Sequence, residues 1–210
     1  KMPKEGGDIE VPWTYTGTFN YYPSFNEISK WYYLKLNSRY VYHQEEQEYY
    51  TLVGDTPDLE HLEAHAWAFV GNPFDGYRIY NRVIGAGKIL SSSTAMADGK
   101  SGGKTHPIMT EIPVPEGNNE LWYATASSHA TNGFFLEQKG HPSQRMNDRH
   151  DVYKNDKKES IHSLSFWTDG YGSGSTFVTE EAIPVKLTTD DSSPICYALK
   201  TGRTFDSKEW

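Results

Sequence analysis

His61 and His65 stand four residues apart. On a helix that spacing turns two imidazoles to one face, as zinc ligands are turned. The zinc-protease motif places a glutamate directly after its first histidine. Here Leu62 holds that place and Glu63 follows one position later. His65 also falls at the start of a predicted strand, so the pair reads as surface or turn histidines and no metal site is expected. Cys196 is the single cysteine; between Ile195 and Tyr197 it reads as a buried structural thiol rather than a nucleophile. No Gly-x-Ser-x-Gly elbow occurs, and Gly172-Ser173-Gly174-Ser175 reads as a hairpin turn. Gly99-Lys100-Ser101-Gly102-Gly103-Lys104 lacks the spacing of a phosphate-cradling loop. With 28 acidic residues, carboxylate pairs arise anywhere, and none sits in a motif suited to two-carboxylate hydrolysis. Neither catalysis nor a cofactor is expected from these residues.

What the chain has in quantity is aromatic side chains: 15 Tyr, 9 Phe and 6 Trp. Tyr and Trp join an apolar body to a polar handle, which suits half-buried strands and stacking surfaces alike. The formal charge of −8 and the absence of a basic face argue against nucleic acid or an anionic membrane surface as partner. Lys154 to Lys158 is interrupted by Asn155 and Asp156 and reads as a solvated loop. No apolar stretch is long enough to span a bilayer, so no membrane insertion is expected. One cysteine permits no intrachain disulfide, and no apolar signal core follows Lys1-Met2-Pro3-Lys4.

The elements that must position these side chains are strands. Apolar residues alternate over short runs, as in Tyr32-Tyr33-Leu34-Lys35-Leu36, Tyr77-Arg78-Ile79-Tyr80 and Ile161 to Phe166. Turn formers separate the runs at Gly71-Asn72-Pro73, Asp75-Gly76, Asn132-Gly133 and Asp169-Gly170. The best helical signal is one short segment, Pro57 to His65.

A repeat decides the fold class. Trp67, Trp122 and Phe177 each centre a strand-like segment, and 55 residues separate each from the next. Before each lie three further strand slots. In the first unit they are Tyr33 to Asn37, Arg39 to Tyr42 and Tyr49 to Val53. In the second they are Gly76 to Asn81, Gly87 to Leu90 and His106 to Ile112. In the third they are Gly133 to Gln138, Gln144 to Asp148 and Ile161 to Trp167. Four short strands cannot bury their apolar face alone; three such units can close around an axis, with Trp67, Trp122 and Phe177 as one equivalent core layer. The prediction is an all-β chain with three four-strand repeats over residues 29–187. Residues 1–28 are an N-terminal extension that adds a strand, with Trp13 to Phe19 alternating. Residues 188–210 are a linker and the start of a further unit.

This pattern resembles the ricin-type β-trefoil, a family that carries a Gln-x-Trp signature once per repeat. The corresponding slots here read His65-x-Trp67, Glu120-x-Trp122 and Ser175-x-Phe177: the aromatic is kept and the Gln is lost. The phrases Trp67-Ala68-Phe69-Val70-Gly71-Asn72-Pro73, Gly76 to Asn81 and Gly174-Ser175-Thr176-Phe177 are similar to trefoil modules attached to secreted bacterial glycoside hydrolases and sialidase-like proteins. The resemblance implies a carbohydrate partner, a non-catalytic binding role, and a secreted, periplasmic or cell-surface setting in a larger glycan-processing protein. A protein-interaction trefoil with decayed sugar sites and a fragment of a glycoside hydrolase are the alternatives.

A pyranose presents an apolar face and a ring of hydroxyls, so its site needs an aromatic platform beside Asp, Asn or Gln. In the family that resemblance points to, a repeat takes its Asp from the second strand, its aromatic from the third, and polar groups from just before the fourth-strand aromatic. Carried over, the third repeat offers Asn147 and Asp148, Trp167, and Ser175 in place of Gln, with Asp169 and Tyr171 in the turn after Trp167. In the second repeat Ser91 stands for the Asp and Met109 for the platform, so that site reads as lost. In the first, Tyr42-His43 replace the Asp and Tyr49 or Tyr50 would stack. The plainer readings are a turn residue for Asp148 and a half-buried strand aromatic for Trp167.

Overall fold

The computed structural model describes residues 19–43, 52–54, 57, 59–93, 106–139, 141–155, 157–168 and 172–182. The chain enters on a two-residue strand, β1 (Tyr21–Tyr22). The first unit follows as β2 (Tyr32–Leu36), β3 (Arg39–Tyr42), β4 (Leu52–Gly54) and β5 (Ala66–Asn72). The second comprises β6 (Gly76–Asn81), β7 (Lys88–Ser93), β8 (Ile108–Glu111), a short bridge β9 (Asn118–Asn119) and β10 (Trp122–Ala126). The third comprises β11 (Phe134–Gln138), β12 (His141–Lys154), β13 (Ser160–Thr168) and β14 (Phe177–Glu181). The four predicted slots per unit are all present. The segment Pro57 to His65 is not an α-helix: Leu59–His65 forms 3₁₀ turns broken at His61, whose φ of −125° lies outside helical values.

First and fourth strands build a barrel. β2 pairs with β5, β6 with β10 and β11 with β14 inside the units, while β5–β6, β10–β11 and β14–β2 join one unit to the next, so six strands close on themselves without a free edge. Second and third strands form three capping hairpins: β3–β4, β7–β8 and β12–β13. The register repeats an aromatic pair at each intra-unit contact: Tyr32 opposite Trp67, Tyr77 opposite Trp122, and Phe134 opposite Phe177. This is the expected β-trefoil.

Trp67, Trp122 and Phe177 are fully buried, in the equivalent layer that their spacing predicts. The two indoles also satisfy equivalent polar needs. Trp67 Nε1 donates to the Val41 carbonyl on β3, and Trp122 Nε1 donates to the Leu90 carbonyl on β7, each at 2.9 Å. Buried Trp commonly finds such a partner; the third unit has Phe177 and needs none. The N-terminal segment does contribute a strand, at Tyr21–Tyr22 beside β5, and Phe19 enters the core to stack on Phe69 with centroids 3.9 Å apart. The alternation at Trp13 to residue 18, and the proposed linker and further unit at 188–210, lie outside the described residues.

Turn chemistry sets the hairpin tips. Asn37 and Ser38 take positive φ between β2 and β3, a conformation Asn tolerates well. Between β5 and β6, Asn72 Oδ1 accepts the backbone N–H groups of Phe74 and Asp75 at 2.9 Å each. Gly71 in this hairpin has φ of +131°, and a Cβ there would collide with the Gly76 carbonyl, so only glycine fits.

Buried phenols couple the fold to alkaline pH. Burial, then the nearby Tyr21, pushes the Tyr77 hydroxyl upward; burial also raises Tyr80; burial, then the hydrogen bond to Glu180, raises Tyr40 to about 12. A raised phenol pKa means that the folded state holds its proton more tightly than the unfolded chain does. The stability this gives is complete below the unfolded value of 10.0 and is lost as pH rises through the folded value. Denaturant midpoints are therefore expected to hold up to about pH 10 and fall above it, with part of the fall removed in Tyr40→Phe. A midpoint that rises or stays level above that pH contradicts the assignment.

Candidate functional site

The third capping hairpin carries the sequence-predicted residues. β12 and β13 pair antiparallel with Arg145 opposite Trp167, Met146 opposite Phe166, Asn147 opposite Ser165, Asp148 opposite Leu164 and Arg149 opposite Ser163. Directly opposed residues share a face, and successive residues alternate. One face therefore holds Met146, Asp148, Leu164 and Phe166, of which Met146, Leu164 and Phe166 belong to the core. The other face holds Arg145, Asn147, Arg149, Ser163, Ser165 and Trp167. Asp148 and Trp167 thus point to opposite sides of the hairpin. The structure does not bring these two candidates together.

On its own side Asp148 is already engaged. Its side chain is 1% exposed. Oδ2 accepts from Asn37 Nδ2 at 3.3 Å and Arg39 Nη1 at 3.4 Å, and Oδ1 lies 2.7 Å from His162 Nδ1. Asn37 and Arg39 come from the turn and second strand of the first unit, so Asp148 ties the third hairpin to the first. Its role here is to position elements.

On the other side lie three of the remaining candidates, Trp167, Asn147 and Ser175. Trp167 is 39% exposed, a large value for so big an apolar ring. Its ring rests on the Arg149 guanidinium, 4.7 Å from the centroid, and Arg149 is itself buried. Asn147 is the diagonal neighbour of Trp167 on this face, within reach of a long side chain. Asn147 Nδ2 donates to Ser175 Oγ at 2.9 Å, which fixes the turn Ser173–Ser175 against β12. Gly174 lies close enough to the Asn147 amide that a side chain there would crowd it. Asp169 and Tyr171 lie outside the described residues. The exposed part of this face is the Trp167 ring, braced by the buried Arg149 guanidinium, with the half-buried Asn147 amide beside it held by the buried Ser175 hydroxyl; an exposed ring and an adjacent amide can stack on an apolar ring face and hydrogen-bond its substituents.

A buried ion pair underlies the face. Arg145 Nη2 donates to Glu137 Oε1 on β11 at 2.6 Å, Thr125 Oγ1 donates to the same oxygen at 2.8 Å, and the Arg145 guanidinium lies over the Phe135 ring at 5.0 Å. Sequence reasoning missed Arg145, Arg149 and the partners of Asp148. The one available signal was arithmetic: once β12–β13 is taken as a hairpin, residues whose numbers sum alike stand opposite.

The other two repeats offer no comparable face among the described residues. Met109 is buried in the core and Ser91 bonds Thr110. In the first unit Tyr42 packs against His65 and His43 is buried, while Tyr49 and Tyr50 lie outside the described residues. Glu120 is paired with Arg78. His61 is exposed and His65 buried, so they do not present one face.

No family model matches the sequence, and no curated protein does. Solved structures do resemble the fold. A ricin B-like lectin of Macrolepiota procera, in complex with lactose, aligns with a TM-score of 0.52 at 12% identity, over 73% of this chain and 98% of that one. The BEL beta-trefoil aligns with a TM-score of 0.52 at 9% identity, over 80% of this chain and 99% of that one. The designed three-fold symmetric protein ThreeFoil aligns with a TM-score of 0.50 at 10% identity, over 71% and 96%. The fold is the β-trefoil that these structures share. These identities carry the architecture; the trefoil's own residues must carry any statement about its ligand.

Proposed function

We propose that this trefoil is a non-catalytic carbohydrate-binding module. Its site is the exposed end of the Trp167 face of the β12–β13 hairpin, with Trp167 as the stacking platform and Asn147, held by the buried Ser175 hydroxyl, as the hydrogen-bonding group. The observation that carries the reading is an indole left 39% exposed yet braced by Arg149, beside the Asn147–Ser175 pair. A surface Trp held rigid pays little ordering entropy on binding, as paratope aromatics show. The lactose complex of the fungal lectin adds support at the level of fold. Asp148, an expected sugar contact, takes the positioning role described above. A secreted or cell-surface setting, within a larger glycan-processing protein, is part of the same proposal.

The test is a glycan array followed by calorimetric titration of the best saccharide. Trp167→Ala is expected to weaken binding by roughly 30-fold or more, as for a central aromatic anchor. Its stability should stay within about 1 kcal/mol of the parent, since an exposed ring is removed. Saccharide binding that survives in a folded Trp167→Ala protein overturns the assignment. A second reading, a protein-interaction trefoil, is favoured by Phe74: 73% exposed at the tip of the β5–β6 hairpin and held there by the Asn72 turn. Absence of binding to every glycan on the array would select it.

A further inference from the structure

The core-side face of the same hairpin ends in a second cluster. Two residues beyond Asp148 on β12 is His150, and its ring lies beside that of His162 on β13. Their rings lie 5.4 Å apart, centroid to centroid. His162 Nδ1 is 2.7 Å from Asp148 Oδ1, so the carboxylate fixes the ring and leaves Nε2 as the free nitrogen. The second carboxylate oxygen is held by Asn37 and Arg39. His150 is exposed and the His162 side chain is 33% exposed, so both can be reached from solvent.

We propose that His150 and His162 form a two-imidazole binding site for a divalent transition cation such as Zn²⁺, with Asp148 as the outer partner that orients His162. Imidazole nitrogen selects Zn²⁺, Ni²⁺ and Cu²⁺ over Ca²⁺ and Mg²⁺, which take oxygen ligands. With a Zn–N bond of about 2.0–2.1 Å an ion sits roughly 3.2 Å from the centroid of a ligating ring, so rings whose centroids are 5.4 Å apart are near enough to share one ion. The carboxylate–histidine–metal arrangement fixes the tautomer and the orientation of the ligating ring. Among the described residues no group of three or more His, Cys, Asp or Glu side chains could hold a metal ion, so in this proposal the protein supplies two ligands, with Asp148 behind His162, and water completes the shell. An ion there would clamp β12 to β13 just where their register shifts, between Arg149 and Tyr153. The site is independent of the saccharide reading, because it faces away from Trp167.

Calorimetric titration of the untagged protein with ZnCl₂ decides this, with MgCl₂ as the hard-cation control. One equivalent of Zn²⁺ is expected to bind, and Mg²⁺ is not. His150→Gln changes an exposed residue and leaves the fold intact; it should weaken Zn²⁺ binding roughly tenfold or more, and Asp148→Asn about 10–100-fold. In the histidine ring NMR spectrum, signals of both His150 and His162 should shift on Zn²⁺ addition. The proposal fails if the wild type binds no Zn²⁺, if His150→Gln binds it as tightly as the wild type, or if neither ring signal moves.

Discussion

Trp122→Ala is expected to lower the unfolding free energy by about 3–5 kcal/mol, the range for truncating a buried Trp. Trp122 is fully buried, stacks on Phe166 with centroids 5.9 Å apart, and sits opposite Tyr77 at the contact between the first and fourth strands of its unit. Its loss opens a cavity in the shared layer and strips the Leu90 carbonyl of its donor. Trp122→Phe separates these effects. It keeps most of the ring and removes the N–H, so it should cost about 1–3 kcal/mol for the lost hydrogen bond to the buried Leu90 carbonyl. The third unit shows that the layer can accept Phe where the packing is built for it, at Phe177. Equilibrium denaturation of the two variants checks both values. If Trp122→Ala costs less than Trp122→Phe, the core assignment is wrong.

Glu137→Ala is expected to cost a comparable amount, about 3–5 kcal/mol, because it breaks a buried ion pair by removing one partner. The Glu137 and Arg145 side chains are 7% and 5% exposed, so neither charge can turn to water without distorting the sheet. Replacing both, as Glu137→Leu with Arg145→Met, should recover most of the loss, since a well-packed apolar pair of similar volume commonly matches a buried ion pair. Arg145 stands directly opposite Trp167, so the single variant should also weaken saccharide binding by loosening the platform. Denaturation of the single and double variants measures the coupling. A Glu137→Ala protein as stable as the parent contradicts it.

The architecture was legible because its determinants are local and repeated. Trp67, Trp122 and Phe177 recur at one spacing because each occupies the same place in the barrel, and Asn132-Gly133 or Asn72-Pro73 mark turns by chemistry that needs no partner. The short helical signal over Pro57 to His65 corresponds to the 3₁₀ turns of Leu59–His65, tight enough for the chain to turn into β5. Of the candidate residues, Asn147 stands diagonal to Trp167 and bonds Ser175. Asp148 seemed to belong with them because it neighbours Asn147 in sequence, but a one-residue step along a strand changes its face. Its partners Asn37 and Arg39 lie more than a hundred residues earlier, and only the closed barrel brings them near.

The central claim is that the Trp167 face holds a saccharide. The indole N–H resonances of the protein, followed by two-dimensional NMR while the array's best saccharide is titrated in, test it most directly. The signal of Trp167 should shift and saturate, with the side-chain amide of Asn147 moving alongside it, while the buried indoles of Trp67 and Trp122 stay in place. A saccharide that saturates the protein and leaves the Trp167 signal unmoved would contradict the account.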